Sequence, residues 1–187
     1  MEMKERLTRF RSFWIFPLLA FGLLAFSKHF EPDRTGAGLA GLIAAGACMW
    51  TILEYALHRY VFHPGSRDTT MKEMLSGSHL MHHSDPGNPD KVLVYPPFAL
   101  ALSGFIFMIL LVLSSSLFTA AGLMIGIWSG FLCYELIHYR VHCTATRSGL
   151  MARLRRTHFH HHFADPGRCF GVTTPLWDFV FGTRRSN

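Results

Sequence analysis

The stretch of sequence that decides the fold is TAAGLMIGIWSGFLCYELIHYRVH, residues 119–142. Residues 119–137 contain one charged side chain, that of Glu135. They are long enough to cross the hydrocarbon core of a bilayer as a helix, which takes about 20 mostly apolar residues. His138 and His142 follow at once, four positions apart, and would share one face of the same helix. The stretch therefore predicts a spanning helix that ends in two side chains suited to a metal ion.

Three further apolar runs predict that this helix is one of four in the membrane. We place the spanning segments at about residues 12–28, 38–57, 98–116 and 119–137. Only two residues separate the third run from the fourth, so these two helices should form a tight hairpin. Small residues in the second run suit close helix packing in lipid. Because no stretch alternates as a strand would, we predict an all-α integral membrane protein, with residues 1–187 in a single domain.

The basic residues predict which helix ends face the cytoplasm. All of the 18 Lys and Arg residues except Lys28 and Arg34 lie in the N-terminal tail, between the second and third runs, or after the fourth run. Positive charge is retained in the cytoplasm, so both termini and the segments 58–95 and 138–187 should be cytoplasmic and should cap the four helices. The positive charge of these segments also suits contact with the anionic headgroups of membrane lipids. No nucleic-acid partner is expected, since no nucleic-acid-binding motif accompanies it.

Ten of the twelve histidines form four groups at or beyond these cytoplasmic helix ends. The groups read HxxxxH, HxxHH, HxxxH and HxxHH, and their members are His58 and His63; His79, His82 and His83; His138 and His142; and His158, His161 and His162. Spacings of three and four place side chains on one helix face, whereas the spacing of five implies a helix end or bend between His58 and His63. Ten imidazoles exceed what one four-coordinate ion takes, so we predict two metal ions that share them. His29 lies on the opposite side, and the role of His160 stays open.

Three carboxylates are candidates for holding these ligands in place. Glu54 lies four positions before His58. Glu135 precedes His138 by three positions, near the inner end of a membrane helix, where a charge needs a partner. A metal-bound imidazole usually donates its other N–H to a carboxylate or a carbonyl. We therefore expect Glu54 and Glu135 to support the ligands, and Asp178 is a further candidate.

These motifs resemble the fatty acid hydroxylase superfamily of membrane di-iron enzymes, which includes the sterol desaturases. The order of the four histidine groups matches that family. Three stretches are most similar to the fatty acid 2-hydroxylases that act on sphingolipid acyl chains: EYALHRYVFH (54–63), YELIHY (134–139) and FGVTTPLWDFVFGT (170–183). Where that subgroup has Asp before the HxxxH group, this chain has Glu135, which retains a carboxylate but changes its reach.

The resemblance implies a di-iron membrane monooxygenase that inserts a hydroxyl into an acyl chain, at the 2-position of a fatty acyl group of a sphingolipid or related lipid. It implies two iron ions and O2 as co-substrate, with zinc as the alternative in purified protein, because imidazole suits both metals. Only a short polar tail precedes the first run, so we expect a separate electron donor such as cytochrome b5, a ferredoxin or a reductase. The expected location is the bacterial inner membrane, or the endoplasmic reticulum if the protein is eukaryotic.

A membrane-borne acyl chain would reach a cytoplasmic metal site through a slot near the inner ends of the second and fourth helices. We predict that aromatic residues line this slot: Tyr55, Tyr134, Tyr139 and Trp177. The apolar segment 170–181 is too short to span a bilayer and is expected to lie on the membrane surface as one wall of the slot.

Other functions would account for part of the pattern of membrane helices and histidine groups. Within the same superfamily, the substrate alternatives are a sterol, a carotenoid, an ornithine lipid or a free sphingoid base, and the reaction alternative is desaturation. A metal-binding or transport protein is a second class, but transport sites lie near the bilayer midplane, where these four runs carry no histidine or charge. A bis-histidine haem protein is a third class and needs only a few of the ten histidines.

Overall fold

The computed structural model describes residues 10–34, 36–63, 79–145 and 148–185, and these residues contain helices and no strand. Residues 64–78 of the predicted metal-binding part 58–95 lie outside the described residues. The helices are α1 (Ser12–Phe30), α2 (Leu39–Ala56), α3 (79–84), α4 (Pro89–Val92), α5 (Pro96–Ser114), α6 (Leu117–Cys143), α7 (Gly149–Phe163) and α8 (Leu176–Val180). A 3-10 turn, Gly36–Gly38, precedes α2, and a π-helical turn, Leu57–Phe62, follows it.

Within the described residues, four helical segments are long and apolar enough to cross a membrane, judged by length and composition alone. They are Ser12–Phe30, Leu39–Phe62, Pro89–Ser114 and Leu117–Cys143. The second and fourth continue past their predicted ends at residues 57 and 137. As a result, His58, His138 and His142 lie on the same helical segments as the apolar runs, so each is held by the backbone of its own candidate span.

The chain divides into two compact units, each built from two separate segments of the sequence. The first unit comprises Met1–Trp50 and Tyr95–Leu132, and the second comprises Thr51–Val94 and Cys133–Asn187. Helices α2 and α6 contribute residues to both units. The first unit contains most of the apolar sequence, and the second contains all ten predicted ligands.

Glycines allow α2 and α6 to approach closely within the first unit. A β-carbon at Gly46 would lie 2.0 Å from a backbone oxygen of α6, and one at Gly126 would lie 2.1 Å from a backbone oxygen of α2. Neither distance admits a side chain, so the two backbones pack directly, as small residues permit for helices in lipid. Close helix packing is the role predicted for small residues of the second run. Gly46 has this role, whereas Gly38 and Gly41 face open space.

A carboxylate holds the short connection between α5 and α6 in the same unit. Helix α5 ends at Ser114, the next residue Ser115 has a left-handed φ of 50°, and α6 begins at Leu117. Glu31, directly after α1, accepts hydrogen bonds from the backbone N–H groups of Leu117 (2.5 Å) and Phe118 (3.3 Å). A carboxylate stabilises a helix N-terminus because the first amide groups lack partners within the helix. The predicted tight hairpin is therefore present, and Glu31 caps its second helix.

Candidate metal centre

The ten predicted ligands all lie in the second unit, where they form two groups of five. The first histidine group consists of His58, His63, His79, His83 and His161. The second histidine group consists of His82, His138, His142, His158 and His162. In each group, one ring nitrogen per residue lies within 4.8 Å of all the others. Two sets of five are what two metal ions sharing ten imidazoles would require.

Each HxxHH motif supplies ligands to both groups. On α3, His79 and His83 belong to the first group, whereas His82 belongs to the second. On α7 the pattern is reversed, because His161 belongs to the first group and its two neighbours of the motif to the second. In both helices the two residues four positions apart share a group, since they lie one turn apart on the same face. The middle histidine of each motif, His82 or His161, is turned toward the other group, so these two helices bridge the two predicted metals.

A π-helical turn accounts for the five-residue spacing of His58 and His63. The backbone N–H of His63 donates to the carbonyl of His58 at 3.1 Å, which is the hydrogen bond between residues five apart that defines a π-helix. The wider turn brings the chain back toward the same face after five residues, and the two ring centroids lie 5.2 Å apart. The change of helix predicted between these residues is present, as a widening that ends at Phe62.

The ring nitrogens of each group converge on a common point. In the first group, the Nε2 atom of His63 lies 3.0–3.2 Å from three others, those of His79, His83 and His161. In the second group, the Nε2 atom of His158 lies 2.8–3.0 Å from three others, those of His138, His142 and His162. Nitrogen ligands ~2.1 Å from one metal and at right angles to each other are ~3 Å apart. The donor set of each group therefore fits a metal ion held by imidazole nitrogens.

Burial keeps these imidazoles in the neutral form that binds metals. Desolvation is the largest cause in each case, and it lowers the pKa of His82 and of His161 to about 4. It also holds the pKa of His79 and of His158 well below the usual value, and neighbouring histidines lower both further because like charges repel. A neutral imidazole retains one lone pair, so these residues are ready to coordinate a metal at neutral pH.

Two backbone carbonyls orient two histidines of the first group. The Nδ1–H of His58 donates to the carbonyl of Phe170 at 2.5 Å, and the Nδ1–H of His161 donates to the carbonyl of Arg168 at 2.8 Å. Since a carbonyl can only accept, Nδ1 carries the hydrogen and Nε2 carries the lone pair, which is the form needed for metal binding. The Nε2 atom of His58 is buried and has no hydrogen-bond partner in the part of the chain that the structure describes.

The buried carboxylates of Glu54 and Asp178 contact the segment that supplies one of these carbonyls. Asp178 accepts the backbone N–H groups of residues 170 (2.9 Å) and 171 (2.8 Å). Glu54 accepts those of residues 172 (2.6 Å) and 173 (2.8 Å). Both side chains thus reach the first histidine group through the backbone of residues 170–173. Their predicted role in holding ligands stays a prediction.

Glu135, the third predicted carboxylate, is fully buried on α6. One oxygen accepts the backbone N–H of Val94 at 3.0 Å. The other is buried without a hydrogen-bond partner among the described residues. Glu135 thereby ties α6 to the residues just before α5, and its role toward His138 stays a prediction.

The aromatic residues of the predicted substrate slot differ in exposure: Tyr55 and Tyr134 are buried, and Tyr139 and Trp177 are half-buried. The ring of Tyr134 stacks on His138 of the second group, with centroids 5.3 Å apart. The indole N–H of Trp177 donates to the hydroxyl of Thr51 on α2 at 2.9 Å. These contacts place two of the four beside the predicted metal ligands or along a spanning segment, and the slot itself stays a prediction.

The backbone of residues 168–173 is the functional feature that the motifs do not reveal. Its role rests on amide and carbonyl groups, which every residue carries, so no side chain marks it. Gly171 is the one signal in the sequence. A β-carbon there would lie 2.1 Å from the carbonyl oxygen of Thr174 and 3.0 Å from the carboxylate of Asp178, so only glycine allows the segment to close around that carboxylate.

Comparison with known proteins relates this chain to fatty acid hydroxylases, both by a family match and by individual relatives. Residues 43–183 match the family described as fatty acid hydroxylase. A dihydroceramide fatty acyl 2-hydroxylase of Arabidopsis thaliana is 34% identical over 184 residues, which cover 96% of this chain and 76% of that protein. The fatty acid 2-hydroxylase of Homo sapiens is 30% identical over 146 residues, which cover 76% of this chain and 39% of that protein. This chain therefore aligns with less than half the length of that human relative.

A solved structure is also similar, that of full-length Scs7p, in which only the hydroxylase domain is visible. The TM-score is 0.76 at 26% sequence identity, and the match covers 92% of this chain and 66% of that one. The helical fold, the four candidate spans and the histidine clusters confirm the predicted fold class. The family match and the relatives confirm the resemblance of the histidine motifs and of the three quoted stretches. The chain belongs to the fatty acid hydroxylase family.

Proposed function

We propose that this protein is an O2-dependent di-iron hydroxylase that acts on a lipid acyl chain, at the 2-position of a fatty acyl group of a sphingolipid or related lipid. The observation that carries the proposal is the convergence of ten buried or half-buried histidines on two points, five to each. The substrate class is supported by relatives named dihydroceramide fatty acyl 2-hydroxylase and fatty acid 2-hydroxylase. The substrate alternatives are a sterol, a carotenoid, an ornithine lipid and a free sphingoid base.

In this proposal each histidine group holds one iron ion, and the iron pair supplies the oxidation chemistry needed to hydroxylate an unactivated C–H bond. One oxygen atom of O2 enters the acyl chain and the other leaves as water, which consumes two electrons and two protons. The electrons come from a separate donor such as cytochrome b5, a ferredoxin or a reductase. Within the chain, burial keeps the imidazoles neutral, and the carbonyls of residues 168 and 170 hold two rings with Nε2 directed inward.

The proposed orientation follows from the charge distribution of the sequence. Both termini and the histidine-rich segments carry nearly all of the Lys and Arg residues, so we place them in the cytoplasm. The proposed membrane is the inner membrane of a bacterium, or the endoplasmic reticulum if the protein is eukaryotic. The acyl tail would then stay in the hydrocarbon while its carbonyl end meets the metals near the interface.

The geometry does not favour a bis-histidine haem protein. The two axial ligands of a haem lie on opposite faces of the porphyrin, whereas the ligand nitrogens of each group here are about 3 Å apart, for example 3.0 Å between His138 and His158. No porphyrin fits between nitrogens at that separation. An absorption spectrum without a haem band is therefore expected for the purified protein.

The function is tested by expressing the chain, together with a donor system, in cells that lack 2-hydroxylated lipids. Intact-lipid mass spectrometry should show sphingolipids that have gained one oxygen atom, and growth under ¹⁸O2 should label that atom. Fragmentation should place the hydroxyl next to the acyl carbonyl. A His158→Ala variant expressed to the same level is the control. A new hydroxyl only on sterols, carotenoids, ornithine lipids or sphingoid bases would replace the proposed substrate, and no oxygenated lipid in any class would contradict the proposal.

A further inference from the structure

Two buried carboxylates bind four successive amide groups of one backbone segment. Asp178 accepts the N–H groups of residues 170 and 171, and Glu54 accepts those of residues 172 and 173, all at 2.6–2.9 Å. Asp178 is 1% exposed and Glu54 is 4% exposed. Hydrogen bonds from an amide to a carboxylate are roughly twice as strong as those between neutral groups. The two carboxylates therefore fix residues 170–173, the clamped segment, from both sides.

The carbonyls in and next to the clamped segment are those that orient histidines of the first group. The Phe170 carbonyl, which accepts from His58, shares a planar peptide unit with the N–H of Gly171, which donates to Asp178. The carbonyl of Arg168, two residues earlier, accepts from His161. A fixed carbonyl sets the rotation of the imidazole that donates to it, and thereby the direction of the Nε2 lone pair.

The second histidine group has no comparable support in the described part of the chain. The Nδ1 atoms of His82, His158 and His162 are buried there without a hydrogen-bond partner. That of His138 lies 3.5 Å from the hydroxyl of Tyr134, at the limit of a hydrogen bond. The backbone support is therefore specific to one of the two groups.

A chain of hydroxyl groups further holds Asp178 in place. The hydroxyl of Thr183 donates to the Asp178 carboxylate at 2.7 Å and lies 3.0 Å from the hydroxyl of Tyr55. The Arg59 guanidinium donates to the Tyr55 hydroxyl at 2.7 Å. Every one of these groups belongs to the second unit. Three donors on one buried carboxylate satisfy most of its hydrogen-bonding capacity. These hydrogen bonds fix the orientation of the Asp178 carboxylate.

We propose that Asp178 and Glu54 are positioning residues for one metal site: through the clamped segment they orient His58 and so set the metal affinity of the first histidine group alone. This inference rests on the proposed two-metal function and adds that the two sites depend on different parts of the chain. Asp178→Asn replaces one accepting oxygen by an NH2 group, which repels the amide it faces. At the other end of the segment both amides donate to Oε1 of Glu54, and Oε2 accepts from the Thr173 hydroxyl. Glu54→Gln removes the negative charge that strengthens these hydrogen bonds and replaces one of the two accepting oxygens by an NH2 group.

The test is the metal content and affinity of purified protein in detergent. Metal-depleted protein is titrated with Zn²⁺ in competition with a chelator, which resolves the two binding steps. In Asp178→Asn and Glu54→Gln, one Zn²⁺ should bind as in the wild type, and the affinity for the other should fall by about 10–100-fold, as for other changes in groups that orient metal ligands. Adding His82→Ala to Asp178→Asn should then weaken both sites.

Two further variants separate positioning from a general loss of structure. Thr51→Val removes the hydrogen bond to Trp177, next to Asp178, and leaves both carboxylates in place, so it should bind two Zn²⁺ with wild-type affinity. Thr183→Val removes one of the three donors to Asp178 and should weaken one site by a smaller factor, without a change in helix content by circular dichroism.

The outcomes distinguish this inference from the proposed function. If the wild type binds fewer than two Zn²⁺, the two-metal function fails. If the wild type binds two and Asp178→Asn and Glu54→Gln also bind two with unchanged affinity, the positioning role is wrong and the two-metal function stands. Equal weakening of both sites in Thr183→Val would likewise overturn it, because the carboxylates would then support the fold as a whole.

Discussion

At the scale of single residues, neighbours in sequence have different tasks in this protein. His82 and His83 are adjacent, yet they belong to different histidine groups because successive helical residues point about 100° apart. The same holds for His161 and His162. Substitution of one histidine of such a pair is therefore expected to weaken a different proposed metal site from substitution of its neighbour.

Loss of one ligand from either group should abolish the reaction, because the proposed chemistry needs both metals. We expect His82→Ala, in the second group, and His161→Ala, in the first group, each to eliminate lipid hydroxylation measured by mass spectrometry. His29→Ala is the matched control: His29 is exposed and lies outside both groups, so it should retain nearly full activity. Wild-type turnover by His161→Ala would show that the ligand assignment is wrong.

The buried histidines also predict a pH dependence of stability. His82 and His161 have a pKa of about 4 in the folded protein, against 6.5 for an ordinary histidine. Between these values the unfolded chain binds more protons than the folded chain, so the free energy of unfolding falls as pH falls. Metal-depleted protein should therefore melt at progressively lower temperature from about pH 6.5 to pH 4. A melting temperature independent of pH across this window in circular dichroism would contradict the prediction, and Zn²⁺-loaded protein is the comparison.

At the scale of elements, short irregular segments position histidines of the first group that lie on or next to long helices. The π turn Leu57–Phe62 brings His63 back toward His58, and the clamped segment 170–173 supplies a carbonyl to the same group. Helix α8 has a different character, since Leu176, Phe179 and Val180 are each more than half exposed. Its Trp177 contacts Thr51, within a candidate span. Exposed apolar side chains next to a candidate membrane span are suited to contact with lipid.

A charge on this exposed face should impair the reaction without loss of metal. Leu176 is 52% exposed on α8, and it contributes no ligand to either histidine group. We expect Leu176→Glu to reduce lipid hydroxylation several-fold, because a carboxylate is costly to place in an apolar membrane environment, while the metal content stays at the wild-type value. Leu176→Met, which preserves the apolar surface, should behave as the wild type. Loss of metal in Leu176→Glu would show that the residue supports the fold, and unchanged activity would exclude a role in lipid contact.

At the scale of the whole molecule, two sets of five imidazoles predict two metals in each chain. Elemental analysis of protein purified without chelators should give close to two metal ions per chain, as iron or, after exchange, as zinc. Combining His82→Ala with a ligand loss in the first group, such as His63→Ala, should bring the content close to zero. A reproducible content of one metal in the wild type, with all ten histidines intact, would defeat the two-metal interpretation.

The amino-acid sequence by itself determined the four candidate spanning segments, the helical fold class and the set of ten histidines. Each depends on properties read locally: the length of an apolar run, and spacings of three to five residues on one helix. The histidine motifs, together with the stretches 54–63, 134–139 and 170–183, further determined the family. Glu54, Glu135 and Asp178 could be named from the sequence as well, since a carboxylate near a membrane helix end or beside metal ligands needs a partner.

Only the tertiary structure decided which histidines form each group of five and what the carboxylates bind. His63 meets His161 across 98 positions of sequence, and Glu54 meets Val172 across 118. Contacts at such separations depend on how the helices pack, which no local spacing encodes. The support of His58 and His161 by carbonyls was equally hidden, because every residue carries a carbonyl and only the folded chain selects those of Arg168 and Phe170.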